Sequence, residues 1–324
     1  QRQMCIRDSG SDAAKGCHMS GLAIACPGQG AQHPKMFDLA LQSEAARDWL
    51  EVYSATAGVD VVALAASGEN LFSNRNAQLL ICGAEIATWT ALQERLPQPE
   101  LFIGYSVGEL AAYGCAGAWT VKELALLVPQ RALLMDQVAP AHAGMLAIKG
   151  MTSAALDDVC KRYRLELAII NADDHFVLGG VRHDIDLAAA EITAAGHWCK
   201  ALDVAIPSHT SVMRTAVQPF RHLLKTTPAR MLTAPVLAGI NGLAGVEATI
   251  ADTLSAQIAE PVRWQDCMAT TLERGVTVVL ELGPGRALSR MFDELGVAVE
   301  ARSAEDFRTL DGIVRWVETR LATN

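Results

Sequence analysis

An α/β fold, built on a parallel sheet with a small βαββαβ unit inserted into it, is what three features of this sequence predict. The runs 21–26 (GLAIAC) and 276–282 (VTVVLEL) have the unbroken hydrophobicity of strands covered on both faces. A third apolar run, 101–103, passes through Gly104-Tyr105-Ser106-Val107-Gly108 straight into a helix-forming stretch at 109–112. Between 144 and 204 the pattern changes to strand, helix, two strands, helix, strand, which is the ferredoxin-like order.

The elements follow in order. Residues 1–18 show no apolar periodicity and no signal-peptide core, so they read as a non-native or disordered tail, with Met19-Ser20 as the natural start. After strand 21–26 comes a tight loop, Pro27-Gly28-Gln29-Gly30-Ala31-Gln32. It lacks the third glycine and downstream acid of a dinucleotide site, and the Lys-Ser/Thr of a P-loop. Apolar spacing makes 38–66 mostly helical and 76–94 a buried helix, which Pro97 and Pro99 end before the strand at 101. A helix over 120–138 carries Arg131, and Pro140 stops it. The inserted unit reads as strand 145–148, helix 153–163, strands 167–171 and 176–181, helix 184–195 and strand 199–205, the last including Asp203. Pro207-Ser208-His209 then precedes a helix, 235–240 suggests a strand, 255–258 a helical turn, and strand 276–282 ends at Gly283-Pro284-Gly285. The expected domains are a core of 19–140 with 206–324, and an inserted unit of 141–205.

Composition narrows the function. The chain is 51% hydrophobic, but the apolar residues are dispersed and no run approaches a membrane span. A net charge of −9 argues against nucleic acid as partner. The eight cysteines form no CxxC pair, and Cys82, Cys115, Cys160, Cys199 and Cys267 lie singly in apolar stretches. They read as buried free thiols of a cytoplasmic protein, and no metal site is expected.

Strand, Gly-x-Ser-x-Gly, helix is the layout that exposes a nucleophile on a strained turn, next to a helix N-terminus that favours a developing oxyanion. Ser106 is the candidate nucleophile. It needs a base. Outside the tail, the candidates are His33, His142, His175, His183, His197, His209 and His222. His209 stands out because it sits between a strand and a helix, though a helix-cap histidine would look the same. A hydrolase triad ends in a histidine near the C-terminus, whereas His222 is the last here. A Ser–His dyad oriented by something other than a carboxylate fits that order better. Arg131 lies among apolar neighbours, so its guanidinium needs a partner, either an internal Asp or Glu or the carboxylate of a substrate.

Six stretches together resemble the malonyl-CoA:acyl-carrier-protein transacylases, in that family's order. They are Pro27–Gln32, Gly104–Glu109, Gln130-Arg131 with Met135, Pro207-Ser208-His209, Gln257 through Pro261-Val262 to Trp264, and Glu281–Gly285. The resemblance covers essentially all of 19–290. It implies an α/β-hydrolase-like core with an inserted ferredoxin-like subdomain, agreeing with the element order. It also implies that Ser106 takes the acyl group as an ester and that His209 serves as base. Gln257 would orient His209 through its main-chain carbonyl, and the N–H groups of Gln29 and Val107 would form the oxyanion hole. Arg131 would hold the malonyl carboxylate. No bound cofactor is implied: malonyl-CoA is the substrate, and the acceptor is the phosphopantetheine-type thiol of an acyl-carrier protein.

Two positions depart from the family's pattern. Tyr105 stands where histidine is common, which bears on acyl selectivity, and Ala132 where glycine is common, which bears on helix packing. The Gly-Tyr-Ser-Val-Gly-Glu-Leu-Ala-Ala stretch looks most like the epsilon subunit of malonate decarboxylase, whose acceptor is that enzyme's own carrier subunit. A fatty-acid-synthesis transacylase is the alternative. A serine esterase or thioesterase would need an acidic triad member not found here, and a non-catalytic carrier-docking scaffold would not need Ser106, His209 and Arg131 together.

Overall fold

The computed structural model describes residues 21–323, so the tail expected over 1–18 and the start at Met19 lie outside the described residues. Numbered along the chain, the strands are β1 (Gly21–Cys26), β2 (Leu101–Gly104), β3 (Ala143–Lys149), β4 (Glu166–Ala172), β5 (His175–Val181), β6 (Trp198–Ala201), β7 (Val236–Leu237), β8 (Val262–Arg263), β9 (Val276–Glu281) and β10 (Glu300–Ser303). The α-helices are α1 (Glu44–Ala57), α2 (Val61–Ser67), α3 (Asn74–Leu92), α4 (Gly108–Cys115), α5 (Val121–Val138), α6 (Ser153–Tyr163), α7 (Arg182–Ala194), α8 (Arg214–Thr226), α9 (Glu247–Ala256), α10 (Trp264–Glu273), α11 (Ala287–Glu294) and α12 (Leu310–Thr323).

The larger sheet runs β10-β9-β1-β2-β7, with every neighbouring pair parallel. β1 lies at its centre and all six of its residues are buried, as an unbroken apolar run requires. Cys26 at the end of β1 pairs with Gly104 at the end of β2. The loops that follow these two strands therefore leave the same edge of the sheet side by side, where an open α/β sheet gathers its ligands. On one face of the sheet, α1, α3, α4 and α5 share a core with Ile24, Phe102 and Leu280. α5 starts on a capping box: the Thr120 hydroxyl accepts from the Glu123 N–H, and the Glu123 carboxylate accepts from the Thr120 N–H. That start sets the register that turns Arg131 inward.

The second sheet runs β6-β3-β5-β4-β8. Its first four strands are antiparallel neighbours in the ferredoxin-like order, with α6 and α7 packed on one side over Leu146, Phe176 and Leu178. The fifth strand comes from beyond 141–205: β8 pairs in parallel with β4 through Val262 and Arg263. The other side of this sheet meets the larger one, so Ala147, Ile169 and Val177 share a core with Ala25, Ile103 and Trp264. The inserted unit is thus bonded and packed into the core.

Several expectations change. The strand expected over 199–205 ends at Ala201, after which one further bond runs from the Leu202 N–H to the Met145 carbonyl. Asp203 is exposed beyond that end, on the way to Pro207, which has no N–H to extend a ladder. The strand expected over 235–240 shrinks to Val236–Leu237, because the chain turns back and the Ala238 N–H bonds the Leu243 carbonyl. The six described cysteines are unpaired, but Cys160 and Cys199 are only half-buried, since they lie on an outer helix and an edge strand.

The turn after β2 is sterically determined. A Cβ on Gly108 would lie 2.1 Å from the Cys26 carbonyl oxygen and 2.4 Å from that of Pro27. Both atoms are backbone and cannot swing aside. Gly108→Ala must therefore part α4 from β1 and is expected to cost at least about 3 kcal/mol, read as a lowered midpoint in urea unfolding. A midpoint within error of wild type would refute this account of the turn.

Candidate active site

Ser106 sits on that turn with φ +57°, in the left-handed region that an L-residue adopts only under constraint. The constraint is visible on both sides. The Tyr105 N–H bonds the Cys26 carbonyl, the Gly108 N–H bonds the Tyr105 carbonyl, and the Glu109 N–H bonds the Ser106 carbonyl. His209, also at positive φ (+64°), is held by its own N–H on the Ile258 carbonyl. These two strained residues, 103 apart in sequence, meet: Ser106 Oγ lies 2.7 Å from His209 Nε2. Strain at two facing polar residues is characteristic of functional sites.

The second ring nitrogen sets the tautomer. His209 Nδ1 lies 2.5 Å from the main-chain oxygen of Gln257, which can only accept, so Nδ1 carries the proton and Nε2 faces Ser106 as an acceptor. His209 is wholly buried, and burial pushes its pKa down to about 3. The Gln257 carbonyl opposes that shift, while the Arg131 charge adds to it. The imidazole is thus held neutral.

Beside this pair runs the loop after β1. A Cβ on Gly28 would come within 2.9 Å of the Tyr105 carbonyl oxygen and 3.5 Å of Ser106 Cβ, so the Gly28–Gln29 peptide lies against the turn. The Gly30 N–H is taken by Gln32 Oε1 at 2.5 Å. The N–H groups of Gln29 and Val107 bond no other group among the described residues. Val107 immediately precedes α4, so its N–H belongs to the positive end of that helix.

Arg131 is buried behind the pair and forms no ion pair among the described residues. Nη1 donates to Gln78 Oε1 at 2.7 Å and Nη2 to Gln257 Oε1 at 3.1 Å. Burial lowers its pKa to about 10, which leaves it a cation at neutral pH. The internal Asp or Glu partner that the sequence leaves open is therefore not its ligand.

Several residues here escape sequence reading. Asn74 accepts from Gln29 Nε2 at 3.1 Å and from Gln78 Nε2 at 2.7 Å, tying the loop after β1 to α3. Glu109, wholly buried, accepts from Gln257 Nε2 at 2.6 Å and from the Gly239 N–H at 2.9 Å. Burial pushes its pKa up to about 7 against those two bonds and the Arg131 charge. The signal in the sequence is three polar side chains, Asn74, Gln78 and Glu109, on apolar helical stretches, where they have to be paired when buried. Tyr105 donates from its hydroxyl to Asn171 Oδ1 on β4 at 3.1 Å, and its ring meets that of Trp264 edge-on at 5.4 Å. It therefore joins the turn to the inserted unit. Ala132 is accommodated in the core, with its carbonyl accepting from Asn74 Nδ2 at 3.2 Å.

Residues 24–304 match the acyl transferase domain family. The chain is 29% identical over 307 residues to the malonyl CoA-acyl carrier protein transacylase of Haemophilus influenzae, spanning 91% of this chain and 98% of that protein. Its fold superposes on the crystal structure of FabD from Acinetobacter baumannii with a TM-score of 0.86 at 27% identity, over 93% of this chain and 99% of that one. It superposes equally on a malonyl-transacylase in complex with its type II PKS acyl-carrier protein, with a TM-score of 0.85 at 27% identity, over 94% of this chain and all (100%) of that one.

Proposed function

The chain belongs to the acyl transferase domain family, and from that premise we propose that it moves malonyl from malonyl-CoA to the thiol of an acyl carrier protein, through a malonyl ester on Ser106. The observation that carries this reading is a buried arginine whose partners among the described residues are two amides, beside a hydrogen-bonded serine–histidine pair. The first arrangement recognises a carboxylate, and the second attacks a carbonyl.

In the forward half-reaction, Ser106 Oγ attacks the thioester carbonyl while its proton passes to His209 Nε2. The oxyanion that forms takes the N–H groups of Gln29 and Val107. As the carbonyl re-forms, the C–S bond breaks and His209 returns the proton to the CoA thiolate. In the second half, the carrier's phosphopantetheine-type thiol gives its proton to His209 and attacks the ester carbonyl; as the C–O bond to Ser106 breaks, His209 returns that proton to Ser106 Oγ. The partner of Nδ1 is a neutral carbonyl rather than a carboxylate, so the pair acts as a dyad whose histidine is oriented without a counter-charge.

The sequence alone favours the malonate decarboxylase carrier as acceptor. The relatives, named for acyl carrier protein, support the alternative, and that is the acceptor we propose. The test is direct. Protein pre-loaded with malonyl-CoA and freed of CoA is offered a phosphopantetheinylated acyl carrier protein or a decarboxylase carrier subunit, and carrier mass is followed. Prompt malonylation of the first supports the proposal. Transfer to the second alone would return the decarboxylase reading, and loss of malonyl to water with either would make the protein a thioesterase.

The low pKa of His209 makes a signed prediction. A depressed pKa keeps the base form as pH falls, so kcat/KM for Ser106 acylation is expected to stay within about threefold from pH 7.5 to 5.0, where a histidine of ordinary pKa would lose roughly 30-fold. Stopped-flow release of CoA across that range measures it. A profile that falls with a midpoint near 6.5 would contradict it.

A further inference from the structure

A buried guanidinium usually takes a carboxylate partner, and Arg131 has two amide oxygens instead. Both amides are locked with the oxygen facing the arginine. Gln78 Nε2 donates to Asn74 Oδ1 at 2.7 Å, on the side away from Arg131. Gln257 Nε2 places its two hydrogens on the Ser106 carbonyl at 2.9 Å and on Glu109 Oε2 at 2.6 Å. A flipped Gln257 would set its NH2 against the guanidinium and its oxygen against a carboxylate and a carbonyl, so three contacts fail together. Glu109 is in turn fixed by the Gly239 N–H. The acid is one amide removed from the arginine: close enough to orient the group that holds Arg131, and not bonded to Arg131 itself.

We infer that Gln78 and Gln257, the latter locked by Glu109, are specificity-determining positioning residues that hold Arg131 without neutralising it, keeping its charge available to the carboxylate of the acyl group. This rests on the reading of Arg131 proposed above. A glutamate in place of either glutamine would keep the shape and the acceptor oxygen. It would also make an internal ion pair and silence the arginine toward an incoming carboxylate. Gln257 has a second, separable part, because its main-chain carbonyl on His209 survives any side-chain substitution.

The test compares Gln78→Glu, Glu109→Gln, Glu109→Leu and Arg131→Ala in the full chain, with malonyl-CoA and acetyl-CoA as donors and a thermal melt for each. Gln78→Glu is expected to lower the malonyl-over-acetyl preference at least about tenfold, mainly through malonyl KM, while Tm changes little, because the ion pair gained by Arg131 offsets the Nε2 bond lost to Asn74. Glu109→Gln keeps the oxygen that Gln257 and Gly239 need and should hold the preference within about threefold, while Glu109→Leu frees the amide and should lose most of it. If Gln78→Glu keeps its malonyl preference while Arg131→Ala loses it, the inference fails and the reading of Arg131 stands. If Arg131→Ala leaves the preference intact, the reading itself fails. If Glu109→Leu behaves as Glu109→Gln does, the lock on Gln257 is refuted.

Discussion

Ser106→Ala is expected to abolish acyl-enzyme formation and to lower transfer by on the order of 10⁴-fold or more, since no second group can take the acyl chain as an ester at that point. Wild-type protein incubated with malonyl-CoA and no carrier should gain the mass of one malonyl group, on the peptide containing Ser106. The alanine variant should gain none. Label that persists in the variant, or that resides on a thiol such as half-buried Cys160 or Cys199, would overturn the assignment. A companion substitution reads the strain. Ser106 holds φ +57° at a cost that glycine does not bear, so Ser106→Gly should be inactive yet more stable than wild type by about 1 kcal/mol. Inactivity with lowered stability would mean that the serine contributes to the fold beyond its backbone conformation.

Arg131→Ala separates malonyl transfer from generic acyl chemistry. A bidentate pair between a buried guanidinium and a carboxylate contributes on the order of 2–5 kcal/mol when one side is truncated, so malonyl-CoA turnover should fall at least about tenfold. Acetyl-CoA brings no charge and should be turned over as well as before or better. The melt is informative here. Truncation strands two glutamine oxygens but also removes a buried, unpaired cation, and these act in opposite directions. Stability should therefore change little. Lysine restores charge without the fork and should rescue only in part. Equal loss of both donors with an early melt would make Arg131 structural and remove the main support for malonyl.

The elements that the sequence specifies are those whose code is local. The β1 run, the glycines around Ser106 and the Thr120–Glu123 box each act through neighbours a few residues away, so the α/β class, the turn and the βαββαβ order are legible in one dimension. The strands expected over 199–205 and 235–240 end early because a strand stops where its partner does, and partners are not local. β8, two residues long, carries no periodicity at all and exists only because Val262 and Arg263 meet β4.

The site divides in the same way. Ser106 stands out from its own flanks and His209 from its place between a strand and a helix, but only a contact across 103 residues puts the ring beside the serine. For Arg131 the residues leave an internal acid or a substrate carboxylate open, and the resemblance points to the malonyl carboxylate. The choice of two amides over an acid was made by Gln78 and Gln257, 53 and 126 residues away. Gln78 and Glu109 sit on helices whose composition reads as plain core. Sequence determined which short segments could form and where a nucleophile could stand. Tertiary structure alone decided which buried polar groups face one another, because desolvation forces each to find a partner and the partner can come from anywhere in the chain.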